Sequence, residues 1–134
     1  MVKKHIALLL LKLKGRCFAD QFNQIARIDT KKKLLSIQKV HLKKLLLHAY
    51  YNVPFYAKRL TNVIEGSDVD LGEFNRIELL SKKSIRKYNK EMTSKNISKR
   101  KWRYNYSGGS TGEPVALIQD DVYDKWSRAT TRYY

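Results

Sequence analysis

A chain of 134 residues has room for one domain with a buried core, and its 43% hydrophobic and 30% charged residues exclude a disordered composition. No apolar run approaches the roughly 18 to 20 residues of a membrane span, and the single cysteine, Cys17, rules out an internal disulfide and a paired-thiol zinc motif, so a reducing, cytoplasmic setting fits. The excess of 28 Lys and Arg over 12 Asp and Glu, a formal charge of +16, favours anionic partners such as nucleic acid, anionic lipid or phosphate ligands without choosing among them.

The first stretch, MVKKHIALLLLKLKGRC, imitates a secretion signal, but its apolar run Ile6 to Leu11 is short and Lys12 and Lys14 stand where a small-residue cleavage site belongs. Residues 1–33 read as a basic, partly amphipathic leader; residues 1–16 are the part suited to peripheral contact with an anionic membrane, although packing on the protein itself is preferred. Residues 34–98 read as a helical region. Leu34, Ile37, Leu45 and Ala49 recur near helical spacing up to Tyr51, with Lys39, Lys43 and Lys44 between them. Asn52 and Pro54 end that helix, because a residue before proline leaves the helical region while proline suits the first turn of the next helix, PFYAKRL. Gly66, Ser67 and Gly72 predict a loop, and Ser81 an N-cap for a further helix.

Residues 99–134 change character. KWRYNYS alternates large and polar side chains as a half-buried strand does, PVALIQ continues as a second strand, and from Asp121 the spacing of Val122, Trp126, Ala129 and Tyr133 predicts a helix with acidic residues at its N-terminal end. Between the strands, YSGGSTGEPV holds Gly108, Gly109 and Gly112, three of the six glycines in the chain. Glycine lets a ligand approach the main chain, so several N–H groups can turn toward one anion, and Ser107, Ser110 and Thr111 add hydroxyl donors. A plain hairpin turn has the same composition. Glu113 stands where a Walker A loop requires lysine, and the dinucleotide fingerprint GxGxxG is absent.

The stretch resembles the Ser/Thr/Gly-rich phosphate loop of adenylate-forming enzymes of the phenylacetate-CoA ligase-like family, in particular its capsule-biosynthesis branch. LLLHAYYNVPFYAKRL (residues 45–60) is similar to that family's N-terminal helix, Asn-Val-Pro-aromatic-Tyr turn and next helix, and IELLSKKSIRKY (77–88) to the segment ahead of the loop. The resemblance implies an α/β fold whose N-terminal helices precede a strand-loop-strand hairpin. It implies that Ser107, Gly108, Gly109, Ser110, Thr111 and Gly112 contact the β and γ phosphates of ATP, with Pro114 stiffening the exit. The implied reaction joins a carboxylate substrate to AMP with release of pyrophosphate, using ATP and Mg²⁺; in many members the acyl group then passes to a thiol such as coenzyme A. Glu78 stands where the family often has proline, and SGGSTGEP replaces the SGTTGKP common in aryl-CoA ligases, so no aryl substrate is assigned. No residue matches the adenine pocket, the acyl pocket or the catalytic lysine, so residues 1–134 read as an N-terminal fragment of the AMP-binding domain, inactive alone, from a ligase linked to capsule or surface polysaccharide assembly. No catalytic residue is assigned.

The rival reading is a small basic protein that binds nucleic acid or an anionic membrane. SKRKWRYNYS interleaves Lys99, Arg100, Lys101 and Arg103 with Trp102, Tyr104 and Tyr106, as single-strand binders do. Aromatics packed inward with basic residues facing water is the preferred expectation. His5, His41 and His48 have no acidic or Cys partner at ligand spacing, so no metal site is assigned, and Asp120, Asp121 and Asp124 fit the start of a helix.

Overall fold

The computed structural model describes residue 6, residues 18–108 and residues 114–134. It combines helices with two small two-stranded sheets, in two compact units: Met1–Leu35 with Gln119–Tyr134, and Ser36–Ile118. Among the described residues no helix is long and apolar enough to cross a membrane.

In the first unit, α1 (Ala19–Ala26) packs on α5 (Asp121–Tyr133). Phe18 and Ala129 are buried, and Phe22 meets Tyr133 edge-on at 5.7 Å. Helix α1 lies within the stretch that the sequence reading treats as leader; its apolar positions are too few to stand out beside the Lys-rich segments. Asp120 caps α5 by accepting a hydrogen bond from the Tyr123 N–H (2.8 Å), with Asp121 and Asp124 in the first turn, where the helix dipole favours negative charge.

The longest helix, α2 (Lys31–Asn52), starts where Thr30 Oγ1 accepts from the Lys33 N–H (3.3 Å). It ends at extended Val53, as a residue before proline must, and Pro54 opens the short α3 (Pro54–Ala57). The core of the second unit joins Leu46 of α2 to Leu60, Val63 and Val69, which follow α3. The loop expected at Gly66 and Ser67 is the turn of a small hairpin, and the expectation for Gly72 is corrected. Strands β1 (Ile64–Glu65) and β2 (Asp68–Val69) pair antiparallel, Ile64 opposite Val69, across a turn in which Gly66 has φ 58°, a conformation that only glycine adopts freely. Gly72 lies in a 3₁₀ helix, Leu71–Arg76, whose N-cap Asp70 accepts from the Gly72 N–H (2.7 Å). Strands of two residues leave no periodicity to read. The turn is tied to α2 by Tyr51 Oη, which donates to the Gly66 carbonyl (2.8 Å), and by Lys43 Nζ on both carboxylate oxygens of Asp68 (2.7 and 2.8 Å).

Ser81 caps α4 (Lys82–Lys87) by accepting from the Ser84 N–H (3.0 Å). The segment after α4 returns to the α2–α3 corner. The Phe55 N–H donates to the Glu91 carbonyl (3.0 Å) and the Lys95 N–H to the Asn52 carbonyl (2.8 Å). A polar relay reinforces this seam: Asn52 Nδ2 donates to His48 Nδ1 (3.3 Å), the opposite ring nitrogen lies 3.3 Å from Ser94 Oγ, and Ser94 Oγ donates to Asn96 Oδ1 (2.9 Å).

Candidate functional site

Trp102–Tyr106 forms β3 and Ala116–Asp120 forms β4, neighbours in one sheet. The connection from Ser107 to Val115 is too short for the crossover that a parallel pair requires, so the two make a hairpin. Two hydrogen bonds close its neck: the Ser107 N–H donates to the Val115 carbonyl (3.0 Å), and the Val115 N–H donates to Ser107 Oγ (3.0 Å). Val115 is 3% exposed, so this amide depends on the hydroxyl for its partner. Asn89 Nδ2 donates to the Ala116 carbonyl (3.1 Å) and anchors the second strand to the segment after α4.

The site residues expected from sequence divide at this neck. Ser107 is half-buried, and Gly108 and Pro114 are exposed on its two sides; Gly109, Ser110, Thr111 and Gly112 lie outside the described residues. A Cβ added at Gly108 would meet nothing within 4 Å, and Gly66 holds the only positive φ among the described glycines. Among the described residues, neither space nor a positive φ therefore requires glycine at position 108. The Ser107 hydroxyl accepts from Val115 through one lone pair and retains its own O–H for a second partner.

The expectation that the β3 aromatics pack inward is corrected. Every residue of β3 is exposed, with Trp102, Tyr104 and Tyr106 at 41%, 50% and 62%. Alternate positions share one face of a strand, and neighbouring rings meet in sequence order, Trp102 to Tyr104 edge-on at 5.2 Å between centroids and Tyr104 to Tyr106 tilted at 6.5 Å. Alternation reports that a strand has two unlike faces; it does not report which face a second layer covers, and a two-stranded ribbon cannot cover its own.

Sequence reasoning also missed an apolar cleft of 460 Å³ in the second unit, lined by Leu45 and Leu46 of α2, Leu60, Phe74, Leu79 and Leu80 among others. Leu79 is 94% exposed. The signal was present in the sequence as paired leucines ahead of the Ser81 cap, outside any helical period. At the same cleft Glu78 receives a job: Arg59 Nε lies 3.3 Å from its carboxylate, while the guanidinium stacks 3.8 Å over the Phe55 ring. Among the described residues no group of three His, Cys, Asp or Glu is placed to hold a metal ion. No family model, curated protein or solved structure matches the chain.

Proposed function

We propose that the glycine hairpin is the phosphate-binding segment of an ATP-dependent adenylate-forming ligase, which joins a carboxylate to AMP and releases pyrophosphate. The acyl-AMP is then available to a thiol such as coenzyme A, in the service of surface polysaccharide assembly. What supports this reading is the hairpin neck: the Ser107–Val115 hydrogen bonds hold the two ends of the Gly-rich stretch together, and among the described residues nothing lies within 4 Å of a Cβ built on Gly108 at its mouth, so a ligand has room to approach the main chain there. Beside it, the O–H of Ser107 is a neutral donor of the kind a phosphate oxygen accepts. Mg²⁺ would arrive on the nucleotide and neutralise part of its charge. The hairpin's own contribution is to hold donors in place for the leaving pyrophosphate, which is positioning and charge stabilisation rather than proton transfer.

The test is calorimetric titration of MgATP into the chain and into Gly108→Ala and Gly109→Ala/Gly112→Ala variants, with tripolyphosphate as competitor. The expected result is saturable binding that tripolyphosphate displaces and that each variant weakens about tenfold, the equivalent of 1.4 kcal/mol. ATP affinity unaltered in both variants removes the proposal. Gly108→Ala is the cleaner of the two, because open space around its Cβ keeps the hairpin neck intact.

A further inference from the structure

We infer that the exposed face of β3 is a binding surface for single-stranded nucleic acid, with Trp102, Tyr104 and Tyr106 as a stacking platform and the neighbouring lysines as phosphate contacts. Three observations converge on one stretch of backbone. The rings come from alternate positions of one strand and retain 41%, 50% and 62% of their surface in solvent, so three large aromatics lie side by side in one exposed row rather than singly. Basic residues border the same strand: Lys99, Arg100 and Lys101 precede it directly and Arg103 lies within it. Lys99 and Lys101 flank the platform and are themselves exposed.

The geometry also selects the form of the polymer. The ring centroids stand 5.2 and 6.5 Å apart, wider than the roughly 3.4 Å rise per nucleotide of a stacked strand. Successive rings can therefore take successive bases only from a strand drawn out of its helix. A duplex keeps its bases paired and stacked inside and offers this face only phosphates. Stacking on aromatic faces tolerates any base, so the surface reads single-strandedness and not sequence. Charge alone would draw in heparin or an anionic bilayer as readily; the ordered row of rings is what favours unpaired bases.

The experiment uses the full chain with Trp126→Phe, so that Trp102 is the sole tryptophan, titrated with an oligothymidylate of about 12 nucleotides and with a duplex of equal length. Fluorescence anisotropy of the labelled oligonucleotide gives affinity, and Trp102 emission reports stacking. The expected result is preference for the single strand and quenching of Trp102. Tyr104→Ala should raise Kd roughly tenfold, from the loss of one stacked base, while Tyr104→Phe, which keeps the ring, binds as the parent does. Lys99→Ala/Lys101→Ala should lower the slope of log Kd against log salt by about 1.4. The inference is overturned if the chain does not bind the oligonucleotide, if Tyr104→Ala binds as tightly as Tyr104→Phe, or if duplex, heparin or phosphatidylserine vesicles bind equally well while Trp102 emission stays unchanged.

Discussion

Replacing Ser107 with alanine should loosen the neck of the glycine hairpin at one identifiable amide. The Val115 N–H donates to Ser107 Oγ at 3.0 Å, and Val115 is 3% exposed, so alanine leaves a buried donor without a partner. Orphaning such a group costs about 1 to 3 kcal/mol. The reciprocal bond, from the Ser107 N–H to the Val115 carbonyl at 3.0 Å, involves only main chain and survives the substitution. The hairpin therefore stays closed on average while its local opening becomes easier. Translated at 1.4 kcal/mol per factor of ten, amide hydrogen exchange at Val115 should accelerate roughly 5- to 150-fold. The measurement is residue-resolved exchange by NMR, with Ala116 and Leu117 of the adjoining strand β4 as internal references. Ser107→Thr keeps the oxygen and should keep the protection. If Val115 in Ser107→Ala exchanges within about twofold of the parent rate, the hydroxyl contributes nothing to the neck, and the reasoning that links this serine to loop geometry fails. The same variant matters for function, since it removes a proposed phosphate donor and the loop's hinge together, whereas Gly108→Ala touches neither bond.

Leu60→Ala, at a side chain 1% exposed and packed with Leu46, Val63 and Val69, should cost about 2 to 5 kcal/mol. Urea unfolding followed by circular dichroism checks it; a loss below about 1 kcal/mol would mean that the second unit has no cooperative core at this point. Acid stability carries a further prediction. The hydrogen bond from Lys43 holds the Asp68 carboxyl below its ordinary value, so its contribution is present above the unfolded carboxylate range, near pH 3.9, and is lost as pH falls through the lower folded value. Asp68→Asn should flatten that part of the acid limb of a stability-versus-pH curve; an unchanged limb refutes the assignment.

Local chemistry made much of this chain legible before any coordinates. Ser81, Pro54 and Asp120 mark helix starts because each satisfies or spares backbone N–H groups within its own first turn, a property of neighbouring residues alone. The glycine stretch between two strand-like runs marked a connection by its local composition as well. What stayed hidden depends on distant partners. The β1–β2 pair is recognisable only by its pairing and by Lys43 and Tyr51 reaching it from α2. The Glu78 carboxylate matters through Arg59, and the cleft at Leu79 and Leu80 exists because α2 and the segment after the 3₁₀ helix face one another.

The β3 strand shows where the division falls. Its alternation of Trp102, Arg103, Tyr104, Asn105 and Tyr106 is written in the sequence, because side chains of an extended chain must point to opposite sides. Whether the aromatic side is covered or open depends on which elements arrive from elsewhere, and the sequence expectation of a buried face was wrong among the described residues. Sequence by itself determined the caps, the breaks, the charge and the glycine loop, since those rest on interactions between near neighbours. Tertiary structure alone decided burial: it placed Ser107 in the hydrogen-bonded hairpin neck and left a row of aromatic rings facing solvent, because burial is a property of the whole packed chain and not of any one stretch of it.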